Sequence, residues 1–256
     1  MERYLGLPVL AFIPRMHADS GMEKEEATQF FFQISSLSPH GYETEMFKRL
    51  RTNIRPNDFK SESIALMITS SNPQEGKTTV ATNLAISMAQ ARSRIVLVDA
   101  DLRRPKLSGI FNVSNQTGAS SYLKGEAEIE EIMRPTTIDN LMLIPSGPSP
   151  PNPSELLDSP RFGQLILALK ERFTWIIFDS PPAGALADAS IIGELVDGVI
   201  LVCFAGHTDK KFILRTKQQI EKGESKIYGV VLNNIEPKIR SYNYYYHSMY
   251  KYGYQV

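Results

Sequence analysis

The chain is 256 residues long, 42% hydrophobic and 22% charged, which excludes collagenous, coiled-coil and wholly disordered classes and leaves room for one generous core. Its 28 Lys+Arg balance 28 Asp+Glu, so nothing marks a polyanion-binding surface and no nucleic-acid partner is expected. The single cysteine, Cys203, cannot form an intramolecular disulfide; inside the apolar run GVILVCFAG it reads as a packing residue of an intracellular protein.

Residues 1–60 show no regular alternation of strand and helix patterns. They hold an apolar run at 5–14, a charged stretch at 23–26 and the cluster Phe30, Phe31 and Phe32. Then comes YETEMFKRLRTNI, where Met46, Leu50 and Ile54 recur at helical spacing. The apolar runs fall far short of the roughly 18 residues of a membrane span, and this region reads as an arm leading into the main domain. From Ser63 the pattern changes to short aliphatic runs alternating with helical ones. Strands are expected at 63–70, 94–101, 141–147, 174–180, 198–206 and 226–234, with helices at 76–92, 154–172, 187–195 and 208–222. Nearly continuous apolar strands are those covered on both faces, so the expected fold is α/β, a doubly wound and mostly parallel sheet of the P-loop NTPase kind. The segment GPSPPNPSELL (147–157) reads as a loop into a helix starting near Ser154, because proline cannot join a central ladder. Seven of the eleven tyrosines crowd the last fifteen residues: Tyr242, Tyr244, Tyr245, Tyr246, Tyr250, Tyr252 and Tyr254. Their polar spacers give no periodic core face, so 239–256 is expected to be a flexible tail.

The first expected strand runs through SNPQEGKTT into a helix, the order a P-loop requires. Backbone N–H groups there must curl round phosphate oxygens while a lysine reaches the β and γ phosphates. Gln74, Glu75, Gly76, Lys77, Thr78 and Thr79 form the candidate ATP-binding turn, with Thr78 offering a hydroxyl to Mg²⁺. One departure is Ser71 at the first glycine position. Asp99 and Asp101 end the strand of RIVLVDADLRRP and Asp179 ends that of TWIIFDSPP, where open α/β sheets bind ligands. Together with Thr78 they are the candidate Mg²⁺ ligands. Arg103 and Arg104 follow as stabilisers of transferring phosphate or of an incoming acidic segment, with a salt-bridged surface pair as the equal alternative.

GKT, VDADLRRP and FDSPP, in this order and spacing, resemble the bacterial tyrosine kinases (BY-kinases) of polysaccharide export. ETEMFKRLRTNI, the IPSGPSPPNPSELL segment and the tyrosine-rich end extend the resemblance over most of the chain. It implies a protein-tyrosine autokinase in which Lys77 binds the phosphates and Asp99, Asp101, Asp179 and Arg103 carry catalysis. A carboxylate such as Asp99 would take the proton of the attacking tyrosine hydroxyl. The seven tail tyrosines would be phosphorylated in trans, and the accumulating charge would expel the tail and loosen the assembly. Glu45, Lys48 and Arg51 are similar to the family's E-x-x-R-x-x-R oligomerisation signal, with lysine at the first arginine position, and imply a ring-like homo-oligomer formed through the 43–54 helix. Asn233 looks like the adenine-reading asparagine of related ATPases; a turn at a strand end is its alternative. Other implied partners are a membrane-embedded chain-length regulator or activator, fused or separate, and a tyrosine phosphatase. The implied location is cytoplasmic, at the inner face of the cell membrane, and the match of LGLPVLAFIP to the stretch after a membrane helix leans towards a missing N-terminal membrane portion. The implied division is 1–60 arm and oligomerisation helix, 61–238 kinase domain, 239–256 tail.

The competing reading is a switch ATPase of the MinD or ParA type, which transfers phosphate only to water. Those carry a second lysine in the loop, where this chain has Asn72. The eukaryotic protein-kinase fold is excluded because its G-x-G-x-x-G, H-R-D and D-F-G motifs are missing, and iron–sulfur scaffolding because it needs a pair of cysteines.

Overall fold

The computed structural model describes residues 1–17, 29–54, 61–223 and 225–236; the seven tail tyrosines lie outside the described residues. Eight strands form one sheet: β1 (Val9–Pro14), β2 (Ile64–Ser70), β3 (Ile95–Asp99), β4 (Arg134–Pro135), β5 (Leu141–Ile144), β6 (Trp175–Asp179), β7 (Gly198–Phe204) and β8 (Ile227–Ile235). Their spatial order is β1-β8-β7-β2-β6-β3-β5-β4. Every neighbouring pair is parallel except β4 with β5.

All residues of β2, β3 and β6 are buried, which accounts for their uninterrupted apolar character. The period-two pleat divides them between two cores. Ile95, Leu97 and Ile177 pack with Phe47, Leu50, Val80 and Leu84; Val96, Val98 and Phe178 pack with Phe162, Leu165, Ile192 and Ile213. Each such side chain contributes about 2 kcal/mol of burial free energy. The first face is covered by helices Lys77–Gln90 and Tyr42–Asn53, the second by Pro160–Lys170, Asp188–Leu195 and Lys210–Lys222.

Two strands go beyond the six expected. β1 is an edge strand parallel to β8, with Ala11 opposite Val231 and Phe12 opposite Leu232, and Asn53 Nδ2 donates to Leu10 O at 2.7 Å from the helix above it. β4 is only two residues long and adds an antiparallel rim. The single helix expected at 154–172 is two, Pro153–Leu157 and Pro160–Lys170. Pro160 forces the break, because a residue before proline avoids the helical region and Ser159 accordingly lies at φ −74°, ψ 151°. Among the described residues, no helix is long and apolar enough to cross a membrane.

Candidate active site

β2 delivers the chain into the 71–76 turn, and Gly76 opens helix Lys77–Gln90 at φ 94°, in the left-handed region that favours glycine. A Cβ there would lie 2.0 Å from Asn233 Nδ2, so the position excludes any side chain. The turn is stapled by Glu75, whose carboxylate accepts from Ser71 N (2.9 Å), Asn72 N (3.0 Å), Asn72 Nδ2 (2.9 Å) and Thr208 Oγ1 (2.7 Å). The Glu75 side chain therefore shapes the loop, which leaves only its main chain for a phosphate. Asn72, at the position where the competing family carries lysine, is one of the groups it holds. Ser71 is fully buried and needs no positive φ, so serine is tolerated where the usual motif has glycine.

Register brings the acidic residues together. Asp99 of β3 lies opposite Asp179 of β6, and period two turns both towards the face covered by the P-loop helix. Lys77 Nζ sits 3.1 Å from Asp101 Oδ2 and 3.7 Å from Asp179 Oδ1. Burial alone would lower the Lys77 ammonium, but Asp179 and then Asp101 hold it above its ordinary value. Burial raises Asp179, against the pull of Lys77 and a hydrogen bond from Thr78. Asp99 is pushed up to about 7 by burial and then by Asp179, even though its Oδ2 accepts from the amides of Lys106 (3.0 Å) and Leu107 (2.9 Å). Asp99 Oδ1 and Asp179 Oδ1 are buried without a hydrogen-bond partner among the described residues. Two donorless carboxylate oxygens beside a threonine hydroxyl suit a hard divalent cation, which completes its shell with nucleotide oxygens rather than an all-protein cage. Among the described residues no three His, Cys, Asp or Glu side chains form such a cage.

Arg103 is held in place along one edge of its guanidinium. Its Nε and Nη2 grip Asp188 at 2.7 and 3.1 Å, and Nη2 also donates to Ser154 Oγ at 2.9 Å. Sequence reasoning missed Asp188 and Ser154 as its partners, since they lie 85 and 51 residues away. Asn233 differs as well: its Nδ2 donates to Glu75 O at 3.0 Å, which locks β8 to the P-loop. The neighbouring Asn234, at φ 60°, faces a cleft of about 430 Å³ lined by Arg15, Phe204, Ala205, Gly206, His207, Asn234 and Glu236. Arg15 and His207 carried no sequence signal, because a cleft between two strand ends and the arm is a product of topology.

The three oligomerisation candidates have partners within the chain. Lys48 Nζ binds Glu45 Oε1 at 2.6 Å and Pro39 O at 3.1 Å, and Arg51 Nη1 donates to Ser87 O at 2.5 Å.

A family profile described as an AAA domain matches residues 67–206. Over 202 residues the chain is 39% identical to the tyrosine-protein kinase CpsD of Streptococcus agalactiae, covering 78% of this chain and 87% of that one. The chain belongs to the bacterial tyrosine kinases. Solved relatives agree across nearly the whole fold. The crystal structure of the chimerical protein CapA2B2 matches with a TM-score of 0.82 at 33% identity, over 92% of this chain and 97% of that one. The kinase domain of the Escherichia coli tyrosine kinase ETK matches with a TM-score of 0.81 at 30% identity, over 91% and 92%. The chain is thus an enzyme of the tyrosine-kinase class on a fold that binds ATP.

Proposed function

We propose that this kinase phosphorylates its own C-terminal tyrosines, Tyr242, Tyr244, Tyr245, Tyr246, Tyr250, Tyr252 and Tyr254, in trans within a homo-oligomer, and so regulates polysaccharide synthesis or export. The observation that carries the reading is the convergence of Lys77, Asp101, Asp179 and Asp99 at the mouth of a P-loop in a chain that ends in a tyrosine cluster. Phosphoryl transfer asks the protein chiefly for alignment and charge neutralisation. Main-chain N–H groups of the 74–79 turn and Lys77 would hold the ATP phosphates; Thr78, Asp99, Asp101 and Asp179 would hold Mg²⁺, which would supply charge neutralisation at the transferring phosphoryl group. Asp99 accepts the tyrosine proton. The cleft beside Asn234 takes the adenine end, and Asn233 keeps that wall in register with the loop.

In this reading residues 1–60 are the arm and oligomerisation helix, 61–238 the kinase domain and 239–256 the tail. The protein works at the inner face of the cell membrane with a membrane-embedded regulator, and a tyrosine phosphatase resets the tail. The test is peptide mass spectrometry after incubation with Mg·ATP. Successive additions of about 80 Da, one per phosphate, confined to the seven tail tyrosines are expected, and Lys77→Met should abolish them. Because that substitution strips two buried carboxylates of their counter-ion, its melting temperature is measured alongside. Turnover of ATP with unmodified tyrosines, in the presence of the membrane regulator, would replace the kinase by a switch ATPase.

A further inference from the structure

Asp188 is a buried carboxylate, 1% exposed, that the phosphoryl-transfer scheme above leaves unused. It opens helix Asp188–Leu195, and its two oxygens are committed to one task. Oδ2 accepts from Arg103 Nε at 2.7 Å, and Oδ1 accepts from Arg103 Nη2 at 3.1 Å and from Ser154 Oγ at 2.5 Å. Burial works against the charged form, but the hydrogen bonds from Arg103 and Ser154 keep Asp188 below the usual carboxylate range. Ser154 is itself a brace, since it also accepts from Arg103 Nη2. Three segments distant in sequence therefore converge to fix one guanidinium: the turn after β3, the first turn of helix Pro153–Leu157 and the start of helix Asp188–Leu195.

The clamp uses the Nε and Nη2 edge of the fork. None of the described residues accepts from Nη1, and the Arg103 side chain is 37% exposed, so Nη1 keeps its donors unspent among the described residues. Arg103 stands two residues beyond Asp101, whose carboxylate touches Lys77, and, after Asp188, Asp101 is among the charges that raise the guanidinium. A planar donor held rigidly at the rim of a phosphate-transfer centre suits an anionic oxygen on whatever enters. The segment 242–256 contains no Asp or Glu, so its side-chain anions are the phosphates it acquires.

We propose that the Arg103–Asp188–Ser154 cluster is a docking point for a phosphotyrosine already present in the entering segment, with Arg103 donating hydrogen bonds to its phosphate and Asp188 as the positioning residue that aims the guanidinium. A first phosphate then favours transfer to a neighbouring tyrosine, before accumulated charge drives the segment away. This rests on the tyrosine-kinase reading above. Asp188 contacts neither nucleotide nor tyrosine; it acts through Arg103.

The experiment compares two synthetic peptides of residues 240–256, one unmodified and one carrying phosphate on Tyr246, as acceptors for the full chain with Mg·ATP. The unsubstituted enzyme is expected to show a KM for the phosphopeptide lower by about tenfold, the worth of one charge-assisted hydrogen-bond pair. Arg103→Gln, Asp188→Asn and their double variant should each bring the ratio of the two KM values to one, and Ser154→Ala should reduce it partway. The ratio is taken within one protein, so a general loss of stability or of ATP affinity cancels. Equal KM values in the unsubstituted enzyme overturn the proposal, as does a preference that survives Asp188→Asn. Transfer to neither peptide by the unsubstituted chain, with ATP still bound, sinks the kinase reading itself and this inference with it.

Discussion

Asp99 is wholly buried, and its folded-state value near 7 stands far above the ordinary 3.8. Without nucleotide or metal, the folded protein therefore holds a proton between pH 4 and 7 that the unfolded chain has released. Stability linked to that proton is complete below the unfolded value and is lost as pH rises through about 7, on the order of 4 kcal/mol for a shift of this size. Asp188 has the opposite sign, because its lowered value yields stability at neutral pH that disappears only in acid. Asp99→Asn should flatten the decline in melting temperature between pH 5 and pH 8 in EDTA. Parallel declines in variant and unsubstituted protein would assign the effect elsewhere. The strand-end position of Asp99 was legible in sequence, since VDAD closes an apolar run. That it shares its register with Asp179, and so becomes the proton-holding member, follows from β6 inserting between β2 and β3, a non-local fact no local pattern carries.

Helix Tyr42–Asn53 was readable from the spacing of Met46, Leu50 and Ile54, but its role was not. Its Arg51 donates to Ser87 O in the last turn of the P-loop helix, where carbonyls lack intrahelical partners and the helix dipole is negative. Arg51 thus tethers helix Tyr42–Asn53 to helix Lys77–Gln90. Arg51→Ala is expected to cost about 2 kcal/mol in urea unfolding of the unassociated protein, as for a charged hydrogen bond partly shielded from water. Lys48→Ala, which removes a half-exposed i,i+3 pair, should cost under about 0.5 kcal/mol. Equal costs for the two would deny Arg51 this anchoring role. The split at Pro160 was legible in principle, because proline at a first helical position with serine before it announces a new start. β1 was not: VLAFIP reads as a strand only once β8 is known to need a neighbour.

At the scale of the molecule, β1 ties the first residues of the chain to its last described strand. Arg15 N donates to Ile235 O at 3.0 Å, beside the cleft shared by Arg15, Asn234 and Glu236. β1 is therefore part of the same sheet as the central strands. Ile13, fully buried, gives a direct check: Ile13→Ala should lower the unfolding free energy by about 2–4 kcal/mol. Fluorescence of Trp175, in the middle of the sheet, should move to the same new midpoint as the backbone signal, whereas a Trp175 transition left in place would mean that β1 frays independently.

Lys77 spans two duties. It is the ammonium in contact with Asp101 and Asp179, so the cavity is internally salted rather than electropositive. A polyphosphate that arrives alone must take this cation from its carboxylates and then face their bared charge across a few ångströms. A polyphosphate that brings its own divalent companion replaces what it removes. The pairing of Lys77 with Asp101 and Asp179 thus favours an anion that comes with its own divalent cation over a bare one.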